Sequence, residues 1–357
     1  VNVMTRQRLE VGVIYPLFTH REAEKAVDRW HRCPLRQPYT TRGDRVAGEG
    51  EVTFEFWDAG HVLGSTGVFL RGEERRIFYT GDVNFDDQTI SLAAAFPTEK
   101  IDVLIMECTR GDSPQPEGWT RFSEEERLIA AIGETFRRGG CVLVPVFALG
   151  KTQEILGMIY KFRQSEELAE TPVYIGGLSA KMTEIYDRRA GQIRRQLPRV
   201  QLLPEVSPFV LNGDTISEST PRAGRIYALS SGMMTEKTLS NIFARRLLEN
   251  PQHAIYFVGY ADPQSPGGRL RAASSGDAVV LDPDQPPQEL RCTVDSFQFS
   301  AHASRETLIE FAVKMAPAKV VLVHGDPPAV KWMQTQLAAR LPQTEVVVPP
   351  PGISIDL

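Results

Sequence analysis

Short apolar runs rich in β-branched and aromatic residues alternate along the chain with longer amphipathic stretches. The runs predict strands at 52–56, 67–70, 76–80, 101–107, 141–147, 225–230, 254–259 and 319–325. A helical period of apolar residues predicts helices at 123–139, 151–164, 235–249, 305–316 and 327–340. The first of these helices starts with Ser123 and Glu126 in the spacing of a capping box. Because strands and helices alternate, the pattern predicts an α/β fold.

Turn signals concentrate in the segment from about 151 to 290, which includes PQSPGG (263–268) and DPDQPP (282–287). This segment separates two parts of the chain that each place polar residues at the ends of apolar strands. We therefore predict one domain formed by residues 1–150 and 291–357, with a second domain inserted at 151–290.

Composition narrows the class of protein. A chain of 357 residues with 42% hydrophobic content is not generally disordered, and its net charge of −5 argues against a uniformly basic surface. No apolar run approaches the roughly 20 residues of a membrane span, so we expect no membrane partner. The cysteines are far apart and form no C-x-x-C pair, which indicates neither a disulfide framework nor a zinc knuckle. These features predict a cytoplasmic protein.

Polar residues with metal-binding or acid–base chemistry follow several predicted strands. They are His61 in DAGHVLGST, Asp82 in YTGDVN, Glu107 in LIMECTRGD, His302 in FQFSAHAS and His324 in VLVHGD. Imidazole and carboxylate groups are natural ligands for Zn²⁺ or Mn²⁺. Two ions roughly 3.5–4 Å apart, bridged by a carboxylate, stabilise the attacking and leaving oxygens of a phosphodiester. We therefore expect Asp82 to bridge two ions and the reaction to be hydrolysis.

Each of these residues also has an ordinary structural explanation. An isolated histidine is more often hydrogen-bonded than metal-bound, Asp82 is a plain turn residue by itself, and Glu107 would serve in a cap or a salt bridge. The order of all five at strand ends of one α/β chain is what favours a functional site.

The same stretches resemble the motif series of the metallo-β-lactamase superfamily, and within it the β-CASP branch of RNA- and DNA-processing nucleases. DAGHVLGS is similar to the third metal motif, with His61 as ligand, and TGD to the fourth, with Asp82 as the bridging ligand. ECTRGD resembles the β-CASP motif E-S-T-Y-G, which gives Glu107 its acidic role. FSAH and VHG resemble the second and third β-CASP motifs, with His302 as a catalytic residue and His324 as a further metal ligand.

The resemblance covers nearly the whole chain and implies an αββα metallo-β-lactamase fold with an inserted α/β β-CASP domain that closes over the metal cleft. VFALGKTQEIL (146–156), SSGMM (230–234) and FVGYADPQSPGGRL (257–270) resemble the two ends of that inserted domain. It also implies that Ser300, Ser231 and Arg269 contact the substrate.

The function implied is a metal-dependent ribonuclease that cuts single-stranded RNA with a metal-activated water, using two divalent ions, Zn²⁺ or alternatively Mn²⁺. A histidine at the position of His324 is the RNA-directed pattern of the branch. His302, held by Glu107, would protonate or stabilise the leaving oxygen. The expected assemblies are a homodimer or a complex with other RNA-processing proteins. Two alternatives stay open: a catalytically inactive scaffold that binds RNA or nuclease subunits, and a hydrolase of small esters or thioesters.

The sequence departs from the resembled pattern in three places. The superfamily signature H-x-H-x-D-H does not occur in the printed sequence, while residues 4–27 resemble the region that follows it. We therefore expect a fragment interrupted within its first domain, which would bind metal poorly and be inactive as given. Arg110 and Cys108 stand where the motif usually has Tyr and Ser, and PQSPGGR stands where A-P-G-T-x-G-R is usual.

Overall fold

Two main sheets organise the part of the chain that the computed structural model describes, residues 18–40 and 51–357. The strands are β1 (Tyr39–Thr40), β2 (Thr53–Asp58), β3 (Thr66–Arg71), β4 (Arg76–Tyr79), β5 (Val103–Glu107), β6 (Val142–Pro145), β7 (Val173–Gly176), β8 (Phe209–Leu211), β9 (Ile226–Leu229), β10 (Ala254–Phe257), β11 (Ala278–Val279), β12 (Gln288–Glu289), β13 (Thr293–Ser296), β14 (Lys319–Val323) and β15 (Glu345–Val347). The helices are α1 (His20–Val27), α2 (Arg121–Arg137), α3 (Lys151–Gln164), α4 (Gly177–Arg189), α5 (Leu202–Val206), α6 (Gly213–Glu218), α7 (Leu239–Ala244), α8 (Pro266–Ala272), α9 (Arg305–Met315) and α10 (Pro327–Arg340).

The first sheet has the strand order β1-β2-β3-β4-β5-β14-β15. β2, β3 and β4 pair antiparallel, whereas β4, β5, β14 and β15 run parallel. Apolar residues of the central strands, such as Leu104 and Leu322, are buried against Leu308 of α9 and Met333 of α10. The apolar runs predicted as strands form the centre of this sheet because burial of their side chains removes apolar surface from water.

The second sheet is entirely parallel, with the order β13-β10-β6-β9-β7-β8. Its strands are buried on both faces: Val142 and Val144 join one core cluster, while Leu143 joins the other. Parallel sheets occur almost only where both faces are covered. Here α2 and α3 pack on the face that carries Val142 and Val144.

The second sheet takes in β6 and β13, which lie just outside the range 151–290 predicted for the inserted domain. We propose that the inserted domain runs from Arg121 to Ser296, because α2 and β6 pack into its core and β13 pairs with β10. The predicted first domain also includes residues 1–17 and 41–50, which lie outside the described residues.

The mixed α/β fold with an inserted α/β domain is confirmed, and each of the eight predicted strands is present. Two helix predictions need correction. α2 starts at Arg121 with Thr120 as its N-cap, so Ser123 is the third helical residue and not the cap. The helix predicted at 235–249 is regular only over Leu239–Ala244, because Ser231 accepts a hydrogen bond from the Thr235 amide and forms a turn.

Hydrogen bonds between loops of the first domain and helices of the second domain join the two domains. The Glu154 carboxylate of α3 accepts hydrogen bonds from the amides of Thr89 and Ile90, and the Leu63 amide donates to the Tyr186 hydroxyl. The cysteines are all free thiols. Among the described helices, none combines the length and apolar character that a membrane span requires.

Candidate metal centre

Four of the five predicted site residues lie at the same edge of the first sheet. β4, β5 and β14 are parallel neighbours, with Ile105 opposite Tyr79 and Val323 opposite Glu107. β2 runs in the same direction, because the intervening β3 is antiparallel to both β2 and β4. The carboxyl ends of these strands therefore meet, which places His61, Asp82, Glu107 and His324 together.

Two backbone conformations turn the chain sharply at this edge. Gly81, just before Asp82, has φ +56°, and a Cβ there would lie 2.7 Å from the Thr66 carbonyl oxygen. His324 has φ 50°, in the left-handed region that side chains other than glycine rarely adopt. Such conformations occur preferentially at functional sites, where the surrounding structure holds them.

His302 reaches the site from the opposite direction. It lies in the loop 297–304, which leaves the second sheet after β13 and leads into α9 of the first domain. Its amide donates to the Ser300 hydroxyl oxygen at 3.1 Å. The centroid of its ring lies 4.4 Å from that of His61 and 5.8 Å from that of His324. The loop that follows the inserted domain thus supplies the middle imidazole of three.

Glu107 is the buried anchor of the site, with an exposed fraction of only 1%. Its carboxylate accepts hydrogen bonds from the Val83 amide at 2.6 Å, from Nδ1 of His302 at 2.9 Å and from the Thr109 hydroxyl. Burial alone would raise the pKa of Glu107, but these hydrogen bonds outweigh it and lower the pKa below its usual value. The carboxylate is therefore ionised at neutral pH and orients the His302 ring.

Asp82 and His324 face each other across the end of the sheet. Oδ1 of Asp82 lies 3.3 Å from Nδ1 of His324. The Thr109 hydroxyl oxygen lies 2.9 Å from the same nitrogen and 3.1 Å from the His324 carbonyl oxygen. Thr109 thus connects His324 with Glu107 through one hydroxyl group.

His61 is oriented by a backbone carbonyl. Its Nδ1 lies 2.9 Å from the Ala301 carbonyl oxygen, so this nitrogen donates and Nε2 keeps its lone pair. Burial, and next the nearby imidazole of His302, lower the pKa of His61. The neutral ring with a carbonyl on its second nitrogen is the usual state of a histidine that ligates a metal.

The donor set fits a divalent metal ion. One ligand atom from each of Asp82, Glu107, His302 and His324 lies within 4.8 Å of all the others. Carboxylate oxygens and imidazole nitrogens are the donors that Zn²⁺ and Mn²⁺ take in proteins. The assignment of His61, Asp82 and His324 as ligands, and of Glu107 and His302 as catalytic residues, stays a prediction. It agrees with the three hydrogen bonds that already occupy the Glu107 carboxylate.

The three predicted substrate contacts differ in their setting. Ser300 lies beside His302, as described. The Ser231 hydroxyl is engaged with Thr235 inside the second domain, at 3.0 Å between the two hydroxyl oxygens. Nη1 of Arg269 donates to the Gln264 carbonyl oxygen at the surface of the same domain. Roles for these three residues also stay predictions.

Sequence reasoning missed Thr109, which positions both Glu107 and His324. A signal was present, because Thr109 stands two residues after Glu107 at a strand end, and residues two apart in a strand share a face. The carbonyl group of Ala301 was also missed, and no sequence pattern marks a main-chain contact with His61.

Comparisons with known proteins agree with this fold. Residues 152–270 match the family described as Beta-Casp domain, and residues 287–349 match the Zn-dependent metallo-hydrolase RNA specificity domain. The class that these matches define is the metallo-β-lactamase fold with a β-CASP insertion. The chain belongs to the β-CASP branch of the metallo-β-lactamase superfamily, a family of RNA-processing nucleases.

Two relatives illustrate the similarity. The chain is 31% identical over 280 residues to an RNase J-like protein of Methanocaldococcus jannaschii, covering 77% of this chain and 64% of the relative. It is 27% identical over 348 residues to the cleavage and polyadenylation specificity factor subunit 3 of Dictyostelium discoideum, covering 96% of this chain and 43% of the relative. The chain thus spans only part of the length of these relatives.

Proposed function

We propose that this protein is a metal-dependent ribonuclease that hydrolyses phosphodiester bonds of single-stranded RNA. The observation that carries the proposal is the convergence of Asp82, Glu107, His302 and His324, with one ligand atom of each within 4.8 Å of the others. The names of the relatives, an RNase J-like protein and an endoribonuclease of Schizosaccharomyces pombe, support the same class of reaction.

In this proposal His61, Asp82 and His324 would hold two divalent ions, with Zn²⁺ expected, and Asp82 would be the ligand shared between them. Ions at this position would supply the charge that activates water and stabilises both reacting oxygens of the phosphodiester. The neutral imidazole of His61 and the half-exposed carboxylate of Asp82 are available for this role.

His302 is the proposed general acid. Its Nδ1 is held by Glu107 at 2.9 Å, which directs Nε2 away from the carboxylate. As the bond between phosphorus and the ribose 3′-oxygen breaks, Nε2–H of His302 gives its proton to that oxygen. The products are then a 5′-phosphate on the downstream strand and a 3′-hydroxyl on the upstream strand.

Exposed aromatic residues at the carboxyl edge of the second sheet support a single-stranded substrate. Phe147 follows β6 and Tyr260 follows β10, at the carboxyl edge of the second sheet, with 38% and 51% of their surfaces exposed. Tyr260 is also close enough to Asp112 and Asp326 of the first domain for their charges to contribute to raising its pKa, after burial. Exposed aromatic rings stack with unpaired bases.

The test is cleavage of a single-stranded RNA by the full protein with and without added Zn²⁺ or Mn²⁺. We expect metal-dependent cleavage of RNA, and background activity in Asp82→Ala, because the bridging carboxylate is lost. Asp214→Ala removes a carboxylate from an exposed position of α6. It is the matched control and should keep full activity. Equal activity of Asp82→Ala and wild type, or no metal-dependent cleavage at all, contradicts the proposal.

A second candidate is a catalytically silent scaffold that binds RNA or nuclease subunits. Within the described residues the predicted ligands are His61, Asp82 and His324, and three side chains alone do not complete two coordination shells. Metal analysis of the full protein separates the candidates: two ions per chain support the ribonuclease, and none supports the scaffold. A homodimer or a complex with other RNA-processing proteins is the assembly proposed for either.

A further inference from the structure

A small polar pocket of about 250 Å³ opens beside His302. It lies between the loop after β4, the loop after β5 and the loop that carries His302. Its walls include Asn84, Asp86, Arg110, Trp119, Gln298 and Ser300. Neither the metal site nor the proposed acid–base pair uses the side chains of Asp86, Arg110 or Trp119.

Two donors at this pocket lack acceptors within the part of the chain that the structure describes. The Arg110 guanidinium forms no hydrogen bond or close ion pair there, although burial lowers its pKa against the attraction of Glu306 and Asp86. The indole Nε1 of Trp119 is buried and has no hydrogen-bond partner among the described residues. The Arg110 guanidinium lines the pocket with no acceptor among the described residues, so its donors are available to a ligand that carries acceptors.

Asp86 supplies an acceptor at the same pocket. Its carboxylate accepts no hydrogen bond from the described residues, and burial raises its pKa while Arg110 lowers it. Asp86 and Arg110 both line this pocket, and no ion pair joins them within 4.0 Å. An acceptor and a donor that line one pocket without pairing fit a ligand that carries both kinds of group.

Guanine is the nucleobase that matches this arrangement. Its O6 and N7 accept hydrogen bonds from an arginine, while its N1–H and N2 amino group donate to a carboxylate. The flat ring of Trp119 adds a surface for stacking, as in other proteins that read unpaired bases. Adenine, by contrast, has no acceptor at the O6 position and no donor at N1.

We propose that this pocket binds a guanine base, that of the nucleotide whose 3′-oxygen leaves in the cleavage reaction. The inference rests on the proposed ribonuclease function, because His302 at the pocket's edge protonates that oxygen. Arg110, which stands in the place of the usual motif tyrosine, and Asp86 then determine which nucleotide lies upstream of the cut.

The test is binding of the four nucleoside 5′-monophosphates with a free 3′-hydroxyl, the same end as the upstream product. Binding is followed by calorimetry and by tryptophan fluorescence of the full protein in a metal chelator. We expect guanosine monophosphate to bind on the order of tenfold more tightly than the other three. Trp119→Phe should remove the fluorescence change and leave the calorimetric signal.

Asp86→Asn and Arg110→Gln should each weaken guanosine monophosphate binding on the order of tenfold, and Asp86→Asn should also abolish the preference over adenosine monophosphate. Asp214→Asn and Arg340→Gln, which remove the same charges at exposed sites elsewhere, should change nothing. Unchanged binding in both pocket variants, or equal binding of all four nucleotides, overturns the inference.

Nucleotide binding is measured in a chelator, so it does not depend on the metal ions that the ribonuclease proposal requires. The two proposals can therefore fail separately. A protein that cleaves RNA and shows no preference for guanosine monophosphate overturns only the pocket. A protein that binds guanosine monophosphate through Asp86 and Arg110 but cleaves no RNA supports the pocket as a base-binding site and contradicts the ribonuclease.

Discussion

At the scale of a single residue, Thr109 connects two of the predicted site residues, Glu107 and His324. Its hydroxyl contacts the buried carboxylate of Glu107 on one side and Nδ1 of His324 on the other. His324 is exposed and has a left-handed backbone, so few other contacts fix its ring. We infer that Thr109 is a positioning residue, which acts on the proposed metal through His324.

Replacing Thr109 with valine keeps the shape of the side chain and removes the hydroxyl. We expect Thr109→Val to weaken Zn²⁺ affinity about tenfold, because loss of a group that orients a ligand typically has this effect. Competition with a chelating dye measures the affinity. Thr335→Val, on the exposed face of α10, is the control and should bind Zn²⁺ like wild type. Equal affinity in Thr109→Val and wild type would argue against the positioning role.

At the scale of an element, the start of α2 shows how one local signal was misread. Thr120 accepts a hydrogen bond from the Ser123 amide at 3.0 Å, and the Ser123 hydroxyl oxygen accepts one from the Thr120 amide at 3.2 Å. The two side chains form a reciprocal cap, so the helix begins two residues before the predicted position. Arg121, thereby included in the helix, forms an ion pair with Glu154 of α3.

The corrected cap predicts an order of effects on stability. Thr120→Ala should lower the free energy of unfolding by about 1 kcal/mol, the usual cost of losing an N-cap. Ser123→Ala should cost less, because the cap residue keeps its bond to the helix. Urea denaturation of both variants measures the difference. A larger loss in Ser123→Ala than in Thr120→Ala would restore the cap predicted from sequence.

At the scale of the whole molecule, Lys151 is a buried charge where the two domains meet. It is the first residue of α3, and its Nζ donates to the Phe299 carbonyl oxygen in the loop that carries His302. Burial lowers the pKa of Lys151 from 10.5 to about 8, with Glu154 opposing the shift. Keeping this amine charged in the folded protein therefore costs free energy at neutral pH.

Stability should consequently depend on pH through Lys151. Between pH 8 and 10.5 the unfolded chain keeps the proton that the folded protein has lost, so the folded state gains relative stability as pH rises. Relative to Lys151→Met, the wild-type free energy of unfolding should rise by about 3 kcal/mol across this window. Urea denaturation at both ends of the window measures it.

The matched control for this pH dependence is Lys331→Met, at an exposed position of α10. Its difference from wild type is measured at the same two pH values and gives the baseline for Lys151→Met. A difference for Lys151→Met that does not change with pH would show that Lys151 is charged at no extra cost in the folded state.

The amino-acid sequence by itself determined most of the local structure and predicted the chemistry of the site. Apolar runs predicted the central strands of both sheets, because a strand buried in a sheet must be apolar. The helices at Lys151–Gln164 and Pro327–Arg340 were predicted to the residue. The polar residues after the strands were also identified, since side chains at strand ends are exposed to ligands yet firmly held.

Only the tertiary structure decided which of these residues meet. The parallel pairing of β4, β5 and β14 brings Asp82, Glu107 and His324 to one edge, and the return of the chain after β13 adds His302. The extent of the second sheet, the contact of His61 with a backbone carbonyl and the pocket at Arg110 were likewise beyond sequence reasoning. They depend on contacts between residues far apart in the chain, which no local pattern of residue types encodes.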